Sequence, residues 1–350
     1  MRKRGSIFRN YLSKDAFSQG KLSRLSFVAA FIFSGLLLYL ALRGLDWTAF
    51  FASLKSANYV YIVFLVLWGS ASYFLRAMRW RVLLTSQREV RPINVFWANM
   101  AGYLGNNVLP ARAGELIRAA YIARTENIPT AFTLATGITE RLIDLAALVL
   151  IAVVSLFFVD AFPDSIQGAI RSFVVIAVFG VLFIFLLSFF RNFAIRVVIS
   201  FPFLSNSRKA KFLEMMDHFM DGTKVIAQHG RGLPFLYFTL IIWLMDGAGT
   251  MMFAFALQET LTLAQAFVFI AALGLSSAIP STPGYVGVYQ FVAVTVLVPF
   301  GFERETALAL ILLSQVFTLL IVSIWGGLGL WVGSRIALGA SENLDGDTHA

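Results

Sequence analysis

Asn106-Asn107-Val108-Leu109-Pro110-Ala111-Arg112-Ala113-Gly114 and Ser276-Ser277-Ala278-Ile279-Pro280-Ser281-Thr282-Pro283-Gly284 carry one pattern twice in apolar surroundings. In each, two polar and two apolar residues lead into a proline, and a glycine closes the stretch. Proline removes an N–H and stops a helix. Hydrocarbon tolerates such broken backbone only where protein or water satisfies the freed groups. A matched pair of Pro/Gly-interrupted apolar segments therefore points to a polar site at membrane depth, as in transporters.

The composition agrees with a membrane setting. Hydrophobic residues make up 59% of the 350 and charged residues 13%, against about 25% charged in soluble domains; the mean hydropathy is +0.78. With no Cys, neither a disulfide framework nor a thiolate metal site is available. His218, His229 and His349 show no ligand spacing, so no metal or other cofactor is expected. The net charge of +9 comes from basic residues at the ends of apolar runs, which assigns them to orientation and anionic lipid surfaces rather than nucleic acid. There is no G-x-x-x-x-G-K-[ST] and no G-x-S-x-G, hence no sign of an ATP-driven motor or a hydrolase elbow.

The expected fold is an all-α polytopic membrane protein with about six spans, near 25–43, 59–78, 139–159, 169–190, 233–257 and 305–333, each close to the roughly 20 residues a bilayer requires. A basic segment, 1–24, precedes the single domain 25–335, and an acidic tail, 336–350, reads as disordered. Excess Lys and Arg in alternate loops place both termini in the cytoplasm of a cell-membrane protein. Residues 92–123 are flanked by Arg91 and Arg124 and should enter from the cytoplasmic face, break at Pro110 and return. Residues 262–300 are flanked by Glu259 and Glu303 and should do the same from the outer face; full crossing by each arm stays open. Span, broken hairpin and span then recur as two repeats of opposite polarity, 59–159 and 233–333, joined by an amphipathic cytoplasmic connector, 191–232.

Charges within spans are functional candidates, because each is expensive in hydrocarbon. Arg112, Glu115 and Arg118 lie three apart on one helical face, and Glu140, Arg141 and Asp144 cluster at the start of the third span. Three positive and three negative charges can neutralise one another as a structural network or hold an anionic headgroup. Asp246 should face the bundle interior, as a proton or cation contact or paired with an arginine of the other repeat. Arg76, Arg79 and Arg81, around Trp80, read as topology and interfacial anchors. The second break offers no charge: Ser277, Pro280, Pro283, Gly284, Gly287 and Gln290 supply hydroxyl, amide and bare backbone, as Asn107, Pro110 and Gly114 do at the first.

Four blocks in order, Arg76-x-x-Arg79-Trp80-x-x-Leu83-Leu84, Asn107-x-Leu109-Pro110-x-Arg112-x-Gly114-Glu115-x-x-Arg118, Glu140-Arg141-x-x-Asp144 and Pro280-x-x-Pro283-Gly284-x-x-Gly287, resemble the lysylphosphatidylglycerol synthase transmembrane, or flippase-like, family. The resemblance spans nearly all of 25–335. It implies an inner-membrane module that flips an anionic or aminoacylated phospholipid, or a polyprenyl-phosphate-linked lipid. In multi-domain members a cytosolic aminoacyltransferase makes the lipid; that domain is missing here, so this module is not expected to be an enzyme and would work beside a separate lipid-modifying one. The alternative is a membrane enzyme, with Glu115, Glu140 or Asp144 as base, or an accessory subunit of lipid modification or glycan assembly. Many members carry an acid where this chain has Gln290, so no ionisable group is assumed there.

Overall fold

A computed structural model describes residues 30–109, 113–159, 175, 178–179, 230–277 and 281–346, and among them all regular structure is helical. The helices are α1 (Ala30–Leu42), α2 (Trp47–Ser56), α3 (Tyr59–Leu84), α4 (Pro92–Val108), α5 (Gly114–Thr125), α6 (Thr130–Leu156), α7 (Gly232–Ala256), α8 (Leu263–Ser276), α9 (Val288–Leu297) and α10 (Arg304–Gly346). Four stretches are long and apolar enough to cross a bilayer: Tyr59–Leu84, Gly232–Ala256, Pro283–Phe300 and Arg304–Arg335. A fifth results if α1 and α2 are counted as one bent span. The chain is an all-α polytopic membrane protein.

Several boundaries differ from the sequence reading. The first expected span is α1, which turns through 86° into α2. Gly44, at φ +75°, makes the corner, and the Asp46 carboxylate caps α2 by accepting from the N–H groups of Thr48 and Ala49. α3 continues to Leu84, past 78, and so carries Arg79, which is buried. α6 starts at Thr130, well before 139. Thr133, Thr136 and Thr139 donate their hydroxyls to carbonyls one turn back, so this polar stretch is compatible with a buried helix. α10 runs on to Gly346, where a disordered tail was expected from 336. The expected span 169–190, nearly all of the connector and the basic segment 1–24 lie outside the described residues.

Helices α3–α6 and α7–α10 pack in matching patterns. α3 lies on α4 as α7 lies on α8; α4 on α5 as α8 on α9; α5 on α6 as α9 on α10. Between the units, α4 packs on α10 and α8 on α6, and α3 meets its counterpart α7. Lipid supplies no hydrophobic drive between helices, so close approach of small residues carries the packing; Ala98 and Ala101 of α4 are fully buried.

Hydrogen bonds at the helix ends give the directions. Asn58 N donates to Ala256 O (2.7 Å) and Gln258 Nε2 to Ser56 O (3.2 Å), so the start of α3 meets the end of α7. At the other end Arg231 Nη2 donates to Thr85 O (3.1 Å). α3 and α7 are thus antiparallel. The α4/α5 hairpin opens at the Thr85 end: Arg81 Nε donates to Val90 O, and the Glu126 carboxylate accepts from Arg91 N and Asn94 Nδ2. The α8/α9 hairpin opens at the opposite end, where Arg304 donates to Arg43 O and Asp46 N to the Glu305 carboxylate. With 17, 12 and 14 residues, α4, α5 and α8 are about 18–26 Å long, short of the roughly 30 Å hydrocarbon core, whereas α9 lies within the longer stretch Pro283–Phe300.

Candidate functional site

Six charges from three helices form one buried network. Arg79 of α3 donates from Nη1 to Asp144 Oδ1 (2.5 Å) and from Nη2 to Asp144 Oδ2 (2.9 Å) and Glu140 Oε1 (2.8 Å). Arg118 of α5 donates from Nη1 to Glu140 Oε2 (2.9 Å) and Asn99 Oδ1 (3.1 Å), and its Nε lies 2.6 Å from Glu115 Oε2. Arg141 of α6 donates from Nε to Glu115 Oε1 (3.2 Å), and its Nη1 lies 3.7 Å from Asp144 Oδ2. Every carboxylate touches two guanidinium groups, so three positive charges balance three negative ones. An unpaired charge here would be prohibitive in hydrocarbon, whereas the closed set is tolerable. Trp80 supports it: Arg118 lies over its ring, and its indole N–H donates to Thr136 Oγ1.

The sequence reading placed Glu115, Arg118, Glu140, Arg141 and Asp144 together, and they meet. Its third arginine, Arg112, lies outside the described residues with Pro110 and Pro280, and Arg79 fills that place among the described ones. Arg79 is therefore not an interfacial anchor but 1% exposed. The signal was present in Arg76-x-x-Arg79, one face of a helix, but depended on the helix continuing beyond 78. Arg81 does sit at the helix end, donating to Val90 O and facing Glu89.

Arg76 also points inward. Between the two units lies a cavity of about 420 Å³ walled by α3, α4, α7, α8, α9 and α10. At its wall Arg76 Nη2 donates to Asp246 Oδ2, joining the second half of α3 to α7. Ser72 Oγ donates to the other Asp246 oxygen (3.2 Å). The side chains of Arg76 and Asp246 keep 18% and 23% exposure and line this cavity, whereas the centre of the network, Arg79, Arg118 and Glu140, is closed off at 3% or less. Asn107, Tyr73, Tyr103 and Tyr289 share the wall. Asp246 is thus separated from the other acidic candidates and takes its partner from the other unit.

The two breaks are held differently. At the first, a Cβ on Gly114 would sit 1.9 Å from Gly102 O, so glycine is what allows α4 and α5 to close. Asn106 Nδ2 reaches Glu115 Oε1 (3.4 Å), and Asn107 Nδ2 donates to Tyr103 O (2.9 Å). At the second, Ser277 Oγ donates to Gly274 O, and Pro283–Tyr285 form a 3₁₀ turn that packs on α4. Gly287 has φ +90°, and a Cβ there would meet Ser34 O at 2.1 Å. Gly287 N donates to Gln290 Oε1 (2.7 Å), Gln290 Nε2 to Gln315 Oε1 (2.7 Å), and Gln315 Nε2 to Gly284 O (2.9 Å). Gln290 is a backbone relay, not a vacant ionisable site. Ser34 and Gln315 escaped the sequence reading because they lie in unbroken apolar helices.

An all-helical membrane domain with a balanced internal charge network and two Pro/Gly-broken hairpins is the class these features define. Residues 27–326 match the family described as the lysylphosphatidylglycerol synthase TM region, and the chain belongs to it. It is also similar to a UPF0104 membrane protein of Methanocaldococcus jannaschii, 22% identical over 241 residues, covering 68% of this chain and 97% of that protein. No solved structure matches the chain.

Proposed function

We propose that this protein is a lipid translocase of the cell membrane, moving a phosphate-bearing lipid between leaflets through the cavity between its two units. The carrying observation is the Arg76–Asp246 pair, a cation and an anion from opposite units exposed to a cavity inside the helical bundle. Intramembrane charges facing a cavity mark substrate pathways. A headgroup phosphate takes Arg76, and any headgroup amine takes Asp246, so the units separate as cargo enters. The cargo class is an anionic or aminoacylated phospholipid, or a polyprenyl-phosphate-linked lipid, with acyl chains left in the bilayer.

The units form an inverted repeat in this reading. Antiparallel α3 and α7, matched packing within each unit and hairpins opening at opposite ends support it. Both hairpins are re-entrant, each gating one face. Arg81, Arg88, Arg91, Arg124 and Arg231 gather at the end where the first hairpin opens, and Asp46, Glu259, Glu303 and Glu305 at the other. By the positive-inside rule the first end is cytoplasmic.

The test is reconstitution with fluorescent phospholipid and a membrane-impermeant quencher. Wild type should expose inner-leaflet lipid to the quencher, and Asp246→Asn should slow exchange at least tenfold with insertion intact. Equal rates in Asp246→Asn, Arg76→Gln and wild type would refute the cavity route.

A further inference from the structure

Four described carboxylates inside the bundle are held in two ways. Glu115, Glu140 and Asp144 each touch two guanidinium groups. A guanidinium has donors and no acceptor, so these contacts suit the ionised carboxylate. Asp246 differs. It has one guanidinium, that of Arg76, on Oδ2, and a hydroxyl, Ser72 Oγ, 3.2 Å from Oδ1. A hydroxyl can donate or accept, so Ser72 serves the ionised carboxylate and equally accepts from the protonated acid.

The cavity around this pair is neutral as it stands. Among the described residues that line it, Arg76 and Asp246 are the charged ones. The other titratable groups facing them are Tyr73 on α3, Tyr103 on α4 and Tyr289 on α9, and phenols are uncharged at neutral pH. α8 contributes apolar side chains, and α10 adds only the hydroxyls of Ser314 and Thr318. Asp144, whose field also reaches Arg76, is neutralised by Arg79 and Arg141. An amine-free phosphodiester on Arg76 therefore brings one negative charge with nothing to balance it, which is expensive within hydrocarbon. One proton on Asp246 restores neutrality. A headgroup that sets its own ammonium on Asp246 adds no net charge and needs no proton.

We propose that the protein is a proton-coupled carrier of anionic lipids, in which Asp246 takes up one proton as the lipid phosphodiester takes Arg76. The proton comes from the aqueous phase that the cavity faces, adds to the Asp246 carboxylate and leaves with the lipid on the other side. No bond within the lipid changes. The Arg76–Asp246 ion pair re-forms when both have left, so loaded and empty cavities are both neutral. This inference rests on the translocase reading and supplies its driving force. It also divides the cargo: amine-free anionic lipids follow the proton gradient, and zwitterionic lipids do not.

The test places the whole chain in vesicles with acyl-labelled fluorescent phosphatidylglycerol or phosphatidylethanolamine. An impermeant quencher reads the distribution between leaflets, against protein-free vesicles. With the lumen one pH unit more alkaline, phosphatidylglycerol should gather in the inner leaflet about tenfold, the ratio set by one proton per lipid. Phosphatidylethanolamine should stay evenly distributed. A potential of about 60 mV at equal pH, equivalent to the same tenfold for one unit charge, should move neither lipid. Phosphatidylglycerol that follows the potential, or that equilibrates regardless of both gradients, overturns the coupling and leaves the translocase standing. Exchange of phosphatidylethanolamine alone does the same. No protein-dependent movement of either lipid refutes the translocase and the coupling with it. Asp246→Asn cannot take up the proton and should lose the pH response on the slow exchange it retains; an undiminished tenfold response overturns the assignment to Asp246. Should that variant fail to fold or to exchange, the comparison of the two gradients on wild type decides.

Discussion

Neutralising Glu140 tests whether the buried charges act as one network. Glu140 is fully buried and accepts from both Arg79 and Arg118, at 2.8 and 2.9 Å. Glu140→Gln keeps the shape, sets an amide N–H against a guanidinium and leaves three positive charges against two negative. Removing one partner of a buried ion pair costs about 3–5 kcal/mol, mostly from the charge left behind. Arg79→Gln leaves the opposite imbalance and should cost a similar amount. The double variant restores two against two, so its loss should fall short of the sum of the singles by about 1.5 kcal/mol or more. Unfolding followed by helical circular dichroism in mixed micelles titrated with dodecyl sulfate measures all four proteins. Additivity within about 0.5 kcal/mol would refute the network. So would a single variant as stable as wild type.

Two further outcomes follow from geometry. Gly287→Ala meets both a backbone conformation at φ +90° and Ser34 O at 2.1 Å, so it should displace α1 and lower thermal stability far more than Gly284→Ala. The latter faces open space at φ +71° and should cost only about 1–2 kcal/mol of backbone strain; equal losses in a thermal-shift series would contradict the close approach. In the Cys-free chain, Glu89→Cys should react with an impermeant thiol reagent from the cytoplasm and Glu303→Cys from outside; labelling of both from one side would end the inverted-repeat reading.

Much of this arrangement was legible along the chain. Long apolar runs define membrane helices because an isolated helix satisfies its own backbone, and Pro and Gly mark where that fails. The stretches around Pro110 and Pro283 located the breaks between α4 and α5 and between α8 and α9. Spacings of three and four put Glu115 with Arg118 and Glu140 with Asp144, since such neighbours share a face within one helix. The interior position of Asp246 followed from the cost of a carboxylate facing lipid.

Only tertiary structure decided which charges meet. Arg79 and Asp144 are 65 positions apart, and Arg76 and Asp246 are 170 apart. No local pattern distinguishes an arginine at a helix end from one that a neighbouring helix covers. Once α6 and α7 pack on α3, Arg79 is enclosed and must be paired, while Arg76, one turn away, faces the space the units leave between them. The Gln290–Gln315 relay arises in the same way, from atoms that approach only when separate helices are pressed together. Composition and periodicity are properties of a single helix, so they determined that this chain lies in a membrane and where its helices break. Pairing is a property of the bundle, and the bundle alone determined which polar groups are closed off and which line a cavity.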